Sequence, residues 1–147
     1  MTTMVPAANG SAGKLTIYNP ETLGPPLGQY RHVTRVKASE LLFIAGMLPA
    51  DINGQSVGIG DFEAQADQIF RNLEAALQSA GAGFGNIVQF TTYLVSPDYI
   101  PALMAYRKKN FPRFFPDGVY PPNTLLMVNR LVHEEFLLEV QAIAALT

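Results

Sequence analysis

The chain has 147 residues, 48% of them hydrophobic and 15% charged, which suits one domain with a real core and argues against long disorder. Ten basic residues against twelve acidic leave a net charge of −2, too close to neutral to draw the chain to nucleic acid or anionic lipid. There is no cysteine, so disulfides, thiolate nucleophiles and cysteine metal sites are excluded.

Residues 1–13 are small and polar and lack the basic and apolar stretches of a signal peptide. They are expected to form a flexible leader ahead of a single domain over 14–147, and a cytoplasmic location is the expectation. The longest apolar run, residues 41–48, falls far short of the about 20 residues that span a bilayer. Residues 15–18 predict a short strand, ended by Asn19-Pro20 and Gly24-Pro-Pro26. Residues 31–36 and 41–45 read as two further β-runs joined by a polar turn, and 51–60, with Asn53-Gly54, as a loop.

Over 62–80 the apolar positions Phe62, Ala66, Ile69, Leu73, Ala76, Leu77 and Ala80 recur in steps of three and four, the stripe of an amphipathic helix. Asp61 is suited to its N-cap and Gly81 to its C-terminal stop. The β-branched and aromatic run 87–94 predicts a strand. Ser96 with Pro97 starts a second helix running to about 110, followed by an aromatic, proline-rich loop over 111–122. Strands at 124–128 and 136–144 close the chain. The order β-β-β-α-β-α-β-β predicts an α+β fold, a six-stranded mixed sheet with both helices on one face. Strands such as Leu41-Leu-Phe-Ile-Ala45 are apolar on both faces, so the uncovered face needs a partner, and homo-oligomerisation is the natural remedy.

Several segments share an order with a known family. Tyr120-Pro-Pro-Asn-Thr124 leads one C-terminal strand and Leu137-Leu-Glu-Val-Gln-Ala-Ile-Ala144 forms the other. Gly28-Gln-Tyr30, Leu41-Leu-Phe-Ile-Ala-Gly-Met-Leu-Pro49, the helix over 65–81 and Asn86-Ile-Val-Gln-Phe-Thr-Thr-Tyr-Leu94 precede them. This set resembles the RidA/YjgF family of small reactive-intermediate deaminases, also described as endoribonuclease L-PSP-like, over about residues 24–144. The resemblance implies a chorismate mutase-like fold and a homotrimer with small-molecule sites in the clefts between subunits. It also implies imine or enamine hydrolysis without a cofactor or metal. In that family a strand arginine grips the substrate carboxylate and an acidic residue stands beside the reacting carbon.

The acid is present here as Glu139, but Asn123 holds the arginine's place. A carboxamide hydrogen-bonds without charge, which weakens carboxylate binding by roughly tenfold or more. A neutral ligand, or one whose anion meets another basic group such as Arg31 or Arg130, fits better. Thr124 keeps a hydroxyl beside Asn123, and Tyr30 matches a pocket tyrosine. Ala45, Leu103 and Leu125 replace more polar family residues, making the expected ligand pocket more apolar.

Each position has a plainer alternative. Asn123 also suits a turn residue after Pro122, Glu139 an outward-facing partner of Gln141, and Tyr30 an aromatic cover at the sheet edge. His32 and His133 lack the spacing of a metal pair. Gly81-Ala-Gly-Phe-Gly85 follows a helix, whereas a phosphate loop precedes one. Arg107-Lys-Lys-Asn-Phe-Pro-Arg113 is the one basic cluster and reads as RNA-binding or as a solvated helix end. Three functions stay open: a deaminase-like hydrolase, a non-catalytic binder of a small metabolite, and an RNA-binding or endoribonuclease-like protein, the last disfavoured by the near-neutral charge.

Overall fold

The computed structural model describes residues 15–147; the expected leader lies outside the described residues. The elements are β1 (Leu15–Tyr18), β2 (Val33–Val36), β3 (Glu40–Met47), α1 (Phe62–Gln78), β4 (Ile87–Leu94), α2 (Ile100–Phe114), β5 (Asn123–Met127) and β6 (Leu138–Leu146). Their order is the one expected, and the fold is α+β.

The six strands do not form one sheet, however. β3, β6, β4 and β5 lie side by side in that order, with β4 and β5 parallel and the other neighbours antiparallel. β1 and β2 make a separate antiparallel pair. The junction explains the split. Pairing between β4 and β5 begins only at Phe90, so the first residues of β4 leave an edge towards β2. There the register with β6 slips between Ile87 and Gln89, and Thr34 Oγ1 donates to the Val88 carbonyl at 2.8 Å. A side-chain hydroxyl thus satisfies the acceptor that a regular ladder would use.

Local chemistry sets the helix ends. Asp61 Oδ1 accepts from the Ala64 amide at 3.1 Å, and Gly81 adopts φ +71° just beyond α1, as a helix stop requires. Ser96 caps the turn that leads into α2, its Oγ accepting from the Asp98 amide at 3.1 Å. α2 runs past its expected end, through Pro112. That proline lies in the last turn on the exposed side, and it leaves the carbonyl one turn back without its helical donor. Phe111, Phe114 and Phe115 are all buried, and their burial holds the last turn in place.

Both helices pack on one face of the four-stranded sheet. Phe70 of α1 is central, stacking on Tyr106 at 5.6 Å and on Phe114 at 5.2 Å. Phe90, Leu94, Leu138, Val140 and Ala142 close the core from the sheet side. Strand alternation sends the intervening residues to the other face. There Phe43 is 75% exposed, Leu41 50% and Leu126 40%, an apolar surface uncovered within one chain.

Candidate functional site

Glu139 belongs to this open face. It pairs across to Tyr93 of β4 and alternates with the core residues Leu138 and Val140. It shares the face with Gln141, whose Oε1 lies 3.4 Å from the Tyr93 hydroxyl. Glu139 is nevertheless half-buried. The β3–β6 register slips between Ile44 and Met47, and within the slip Gly46 lets the carboxyl group lie against its backbone. A Cβ on residue 46 would collide with Glu139 Oε1 and stand 2.6 Å from Cδ and 2.9 Å from Cγ. Gly46 is not at positive φ, so space rather than backbone conformation requires glycine. No hydrogen bond or ion pair engages the Glu139 carboxyl among the described residues. Burial raises its pKa, because a desolvated carboxyl resists ionisation. The result is an unengaged acid biased towards holding its proton, suited to proton transfer.

Asn123 opens β5, the edge strand next to β4, and points the other way, towards the helices. Its Oδ1 accepts from Thr92 Oγ1 at 2.7 Å and from Arg107 Nη2 at 3.1 Å. Arg107 Nη2 also donates to Thr92 Oγ1 at 2.9 Å. Arg107 comes from α2, is 2% exposed, and has its guanidinium 5.5 Å from the centre of the Phe111 ring. No carboxylate pairs with it among the described residues, and burial pushes its pKa down to about 10. The arginine adjoining Asn123 is therefore neither Arg31 nor Arg130. Arg31 donates to the Ile17 carbonyl at 3.0 Å, and Arg130 is held by Glu134 and by carbonyls of its own loop. Sequence reasoning missed Arg107 because it sits in a basic run. The available signal was its helical spacing: Arg107 falls four residues after Leu103 and four before Phe111, within the apolar stripe.

The other expected site residues disperse. Thr124 pairs with Thr91 and is exposed on the open face with Ala45. By strand spacing Thr124, in register with Gln141 through Thr91, is about 12 Å from Glu139. Leu125, on the same side as Asn123, packs partly buried against the core. Leu103 is 1% exposed within the helix–sheet core and presents nothing to a ligand. Tyr30 is half-buried before β2; its hydroxyl accepts from the Leu27 amide at 3.2 Å and its ring meets His32 edge-on at 6.0 Å. One chain thus offers Glu139, Thr124 and Ala45 on one face and Asn123 with Leu125 on the other. Hollows between the helices, around Asp67, Arg71 and Arg113, and below β1, around Ile17, Phe84 and Phe115, include neither Glu139 nor Asn123.

The basic run splits on folding. Arg107 is buried, Lys109 pairs with Glu63 at 2.6 Å, and Arg113 lies over the Phe114 ring at 4.6 Å. His133 stacks on Phe136 at 4.8 Å with Nδ1 3.6 Å from Glu135. No group of acidic and histidine residues able to hold a metal occurs among the described residues. No helix among them is long and apolar enough to cross a membrane.

Two helices backing a mixed sheet, with an unengaged acid on the bare face, define a two-layer α+β protein of the Rid type. The family model for endoribonuclease L-PSP matches residues 22–146, and the chain belongs to that family, the RidA/YjgF family its motifs resemble. It is 31% identical over 122 residues to a RutC family protein of Synechocystis, covering 82% of this chain and 88% of that protein. Identity to the 3-aminoacrylate deaminase RutC of Acinetobacter baylyi is 27% over 120 residues, 78% of this chain and 94% of the relative. The crystal structure of a Rid-family protein of unknown function from Yersinia pestis superposes with a TM-score of 0.78 at 31% identity, covering 90% of this chain and 99% of that one.

Proposed function

We propose that this chain is a cofactor-free, deaminase-like hydrolase acting on a small imine, enamine or related metabolite in a cleft between copies of itself. The observation that carries the reading is the Glu139 carboxyl, half-buried beside Gly46, without a bonding partner among the described residues and with its pKa raised by burial. An iminium carbon is already electrophilic, so hydrolysis needs an aimed water and a group to pass protons. The ionised carboxyl accepts a proton as water attacks the carbon, then returns it to the nitrogen. The carboxylate then takes the hydroxyl proton as the C–N bond breaks, so that ammonia leaves and the carbonyl forms. The 3-aminoacrylate deaminase among the relatives supports this class of reaction.

The bare apolar face around Phe43 and Leu126 supports self-association, in which the expected trimer would shield it. Because Glu139 and Asn123 lie on opposite faces of the sheet, a site using both draws them from different copies. A second reading is a binder that holds the metabolite without turnover, favoured by the absence of a strand arginine at residue 123. Steady release of ammonia from small imines by the wild type, lost in Glu139→Gln with the fold retained, is the expected result. Retention of ligand with no ammonia release by the wild type refutes the hydrolase in favour of the binder.

A further inference from the structure

Two carboxamides of α1 direct their hydrogen bonds to the backbone on either side of the Gly46–Glu139 contact. Gln65 is wholly buried, and its Oε1 accepts from the Leu137 amide at 2.8 Å. Its Nε2 donates to the carbonyls of Glu135 at 2.9 Å and Gly58 at 3.1 Å. Asn72 Nδ2 donates to the carbonyls of Leu48 at 3.0 Å and Ala50 at 2.9 Å. Gln68 Nε2 donates to Asn72 Oδ1 at 2.9 Å, which fixes the way that carboxamide turns. Leu48 lies two residues after Gly46, and Leu137 two residues before Glu139. The strand ladder holds this stretch poorly, because the β3–β6 register slips between Ile44 and Met47. Burying a carboxamide is unfavourable unless it is fully bonded, and an apolar side chain would fill the same volume without that penalty. A polar residue at 65 therefore sets a geometry that an apolar one would leave free.

We infer that Gln65 and Asn72 are positioning residues for the Glu139 carboxyl, with α1 setting where the end of β3 stops against the start of β6. They stand seven residues apart, close to two full turns, so they leave the same side of α1 about 10 Å apart along its axis. A helix is stiff along its axis, so it fixes the offset between the Leu48 and Leu137 backbones where the slipped ladder does not. That offset keeps the Gly46 backbone against Glu139, so close that a Cβ there would collide with the carboxyl. Ser56 Oγ donates to Glu135 Oε1 at 2.7 Å and ties the same two segments to each other. Gln65 and Asn72 act through the backbone, since none of these hydrogen bonds reaches the carboxyl itself. The inference deepens the proposed function and rests on it for the chemical use of Glu139, but not for where the carboxyl lies.

The test follows the carboxyl itself and measures turnover separately. The full chain is labelled with 13C at the glutamate carboxyls and titrated by NMR, the Glu139 resonance being assigned by its loss in Glu139→Gln. In the wild type burial beside Gly46 raises the midpoint of this titration. Asn72→Leu removes both donors, and is expected to bring the midpoint down towards the ordinary carboxylate range as the carboxyl is released to water. Imine hydrolysis by the same variant is expected to lose at least about tenfold in kcat, with KM changed less. Val119→Ala loosens the separate core cluster beside β1 and serves as the control for lost stability alone; its Glu139 titration is expected to match the wild type. Should Asn72→Leu fail to fold, Asn72→Ser decides the matter. Its short side chain lets water satisfy the Leu48 and Ala50 carbonyls, and the same downward shift is expected. An ordinary titration in the wild type, an unshifted one in the folded Asn72 variant, or an equal shift in Val119→Ala overturns the inference. The titration needs no turnover. A wild type that releases no ammonia therefore rejects only the hydrolase reading, and hydrolysis with an unshifted titration in the Asn72 variant rejects only the positioning role.

Discussion

Replacing Gly46 by alanine tests the contact that creates the unusual carboxyl. The new methyl group would overlap Glu139 Oε1 and approach Cδ to 2.6 Å and Cγ to 2.9 Å. Three atoms of one side chain must move together, out of a site closed by β3 behind them. Overpacking of this kind costs about 1–3 kcal/mol. With Glu139 shortened to alanine the obstruction disappears. Residue 46 lies outside the positive-φ region, so Gly→Ala should then stabilise by about 0.4–1 kcal/mol through the unfolded chain. The two effects differ in sign, giving a coupling energy of roughly 1.5–4 kcal/mol. Urea unfolding of the wild type, Gly46→Ala, Glu139→Ala and the double variant measures it as a cycle. Additivity within about 0.5 kcal/mol would show that Gly46 does not hold the carboxyl. The single Gly46→Ala variant should also lose ammonia release.

Further consequences are open to direct measurement. Burial raises the Glu139 pKa, so in the folded state the group holds its proton to higher pH than in the unfolded chain. Stability relative to Glu139→Gln should therefore fall as pH rises from the ordinary carboxylate pKa through the raised one; a difference that grows with pH would contradict the assignment. Phe70→Ala removes the ring shared by Tyr106, Phe90, Phe111 and Phe114 and should cost about 3–5 kcal/mol in chemical denaturation. Phe43→Asp places a charge on the bare face and should turn an oligomer into smaller species in sedimentation; an unchanged mass would remove that face from the interface. Asn123→Arg sets a second guanidinium beside Arg107, so it should destabilise the chain, and pairing it with Arg107→Met should restore stability.

The elements were legible because their signals are local. The period of α1, its Asp61 cap and Gly81 stop, and the β-branched run of β4 each depend on residues within a few positions. The alternation of β6 likewise announced that Glu139 would face away from Leu138 and Val140. The motif order carried the family and the fold class. What the sequence could not announce was pairing. Whether β2 joins the main sheet depends on the register slip at Val88 and one Thr34 hydrogen bond, both products of chain segments far apart. Glu139 is half-buried because β3, distant in sequence, places a glycine beside it. Arg107 read as surface charge because its neighbours Lys108 and Lys109 are charged; only the packing of α2 over β4 and β5 brings it to Thr92 and Asn123. Periodicity along one strand or helix sets which way a side chain turns. What it meets there, and so its charge state and chemistry, is decided by the segments that tertiary folding packs against it.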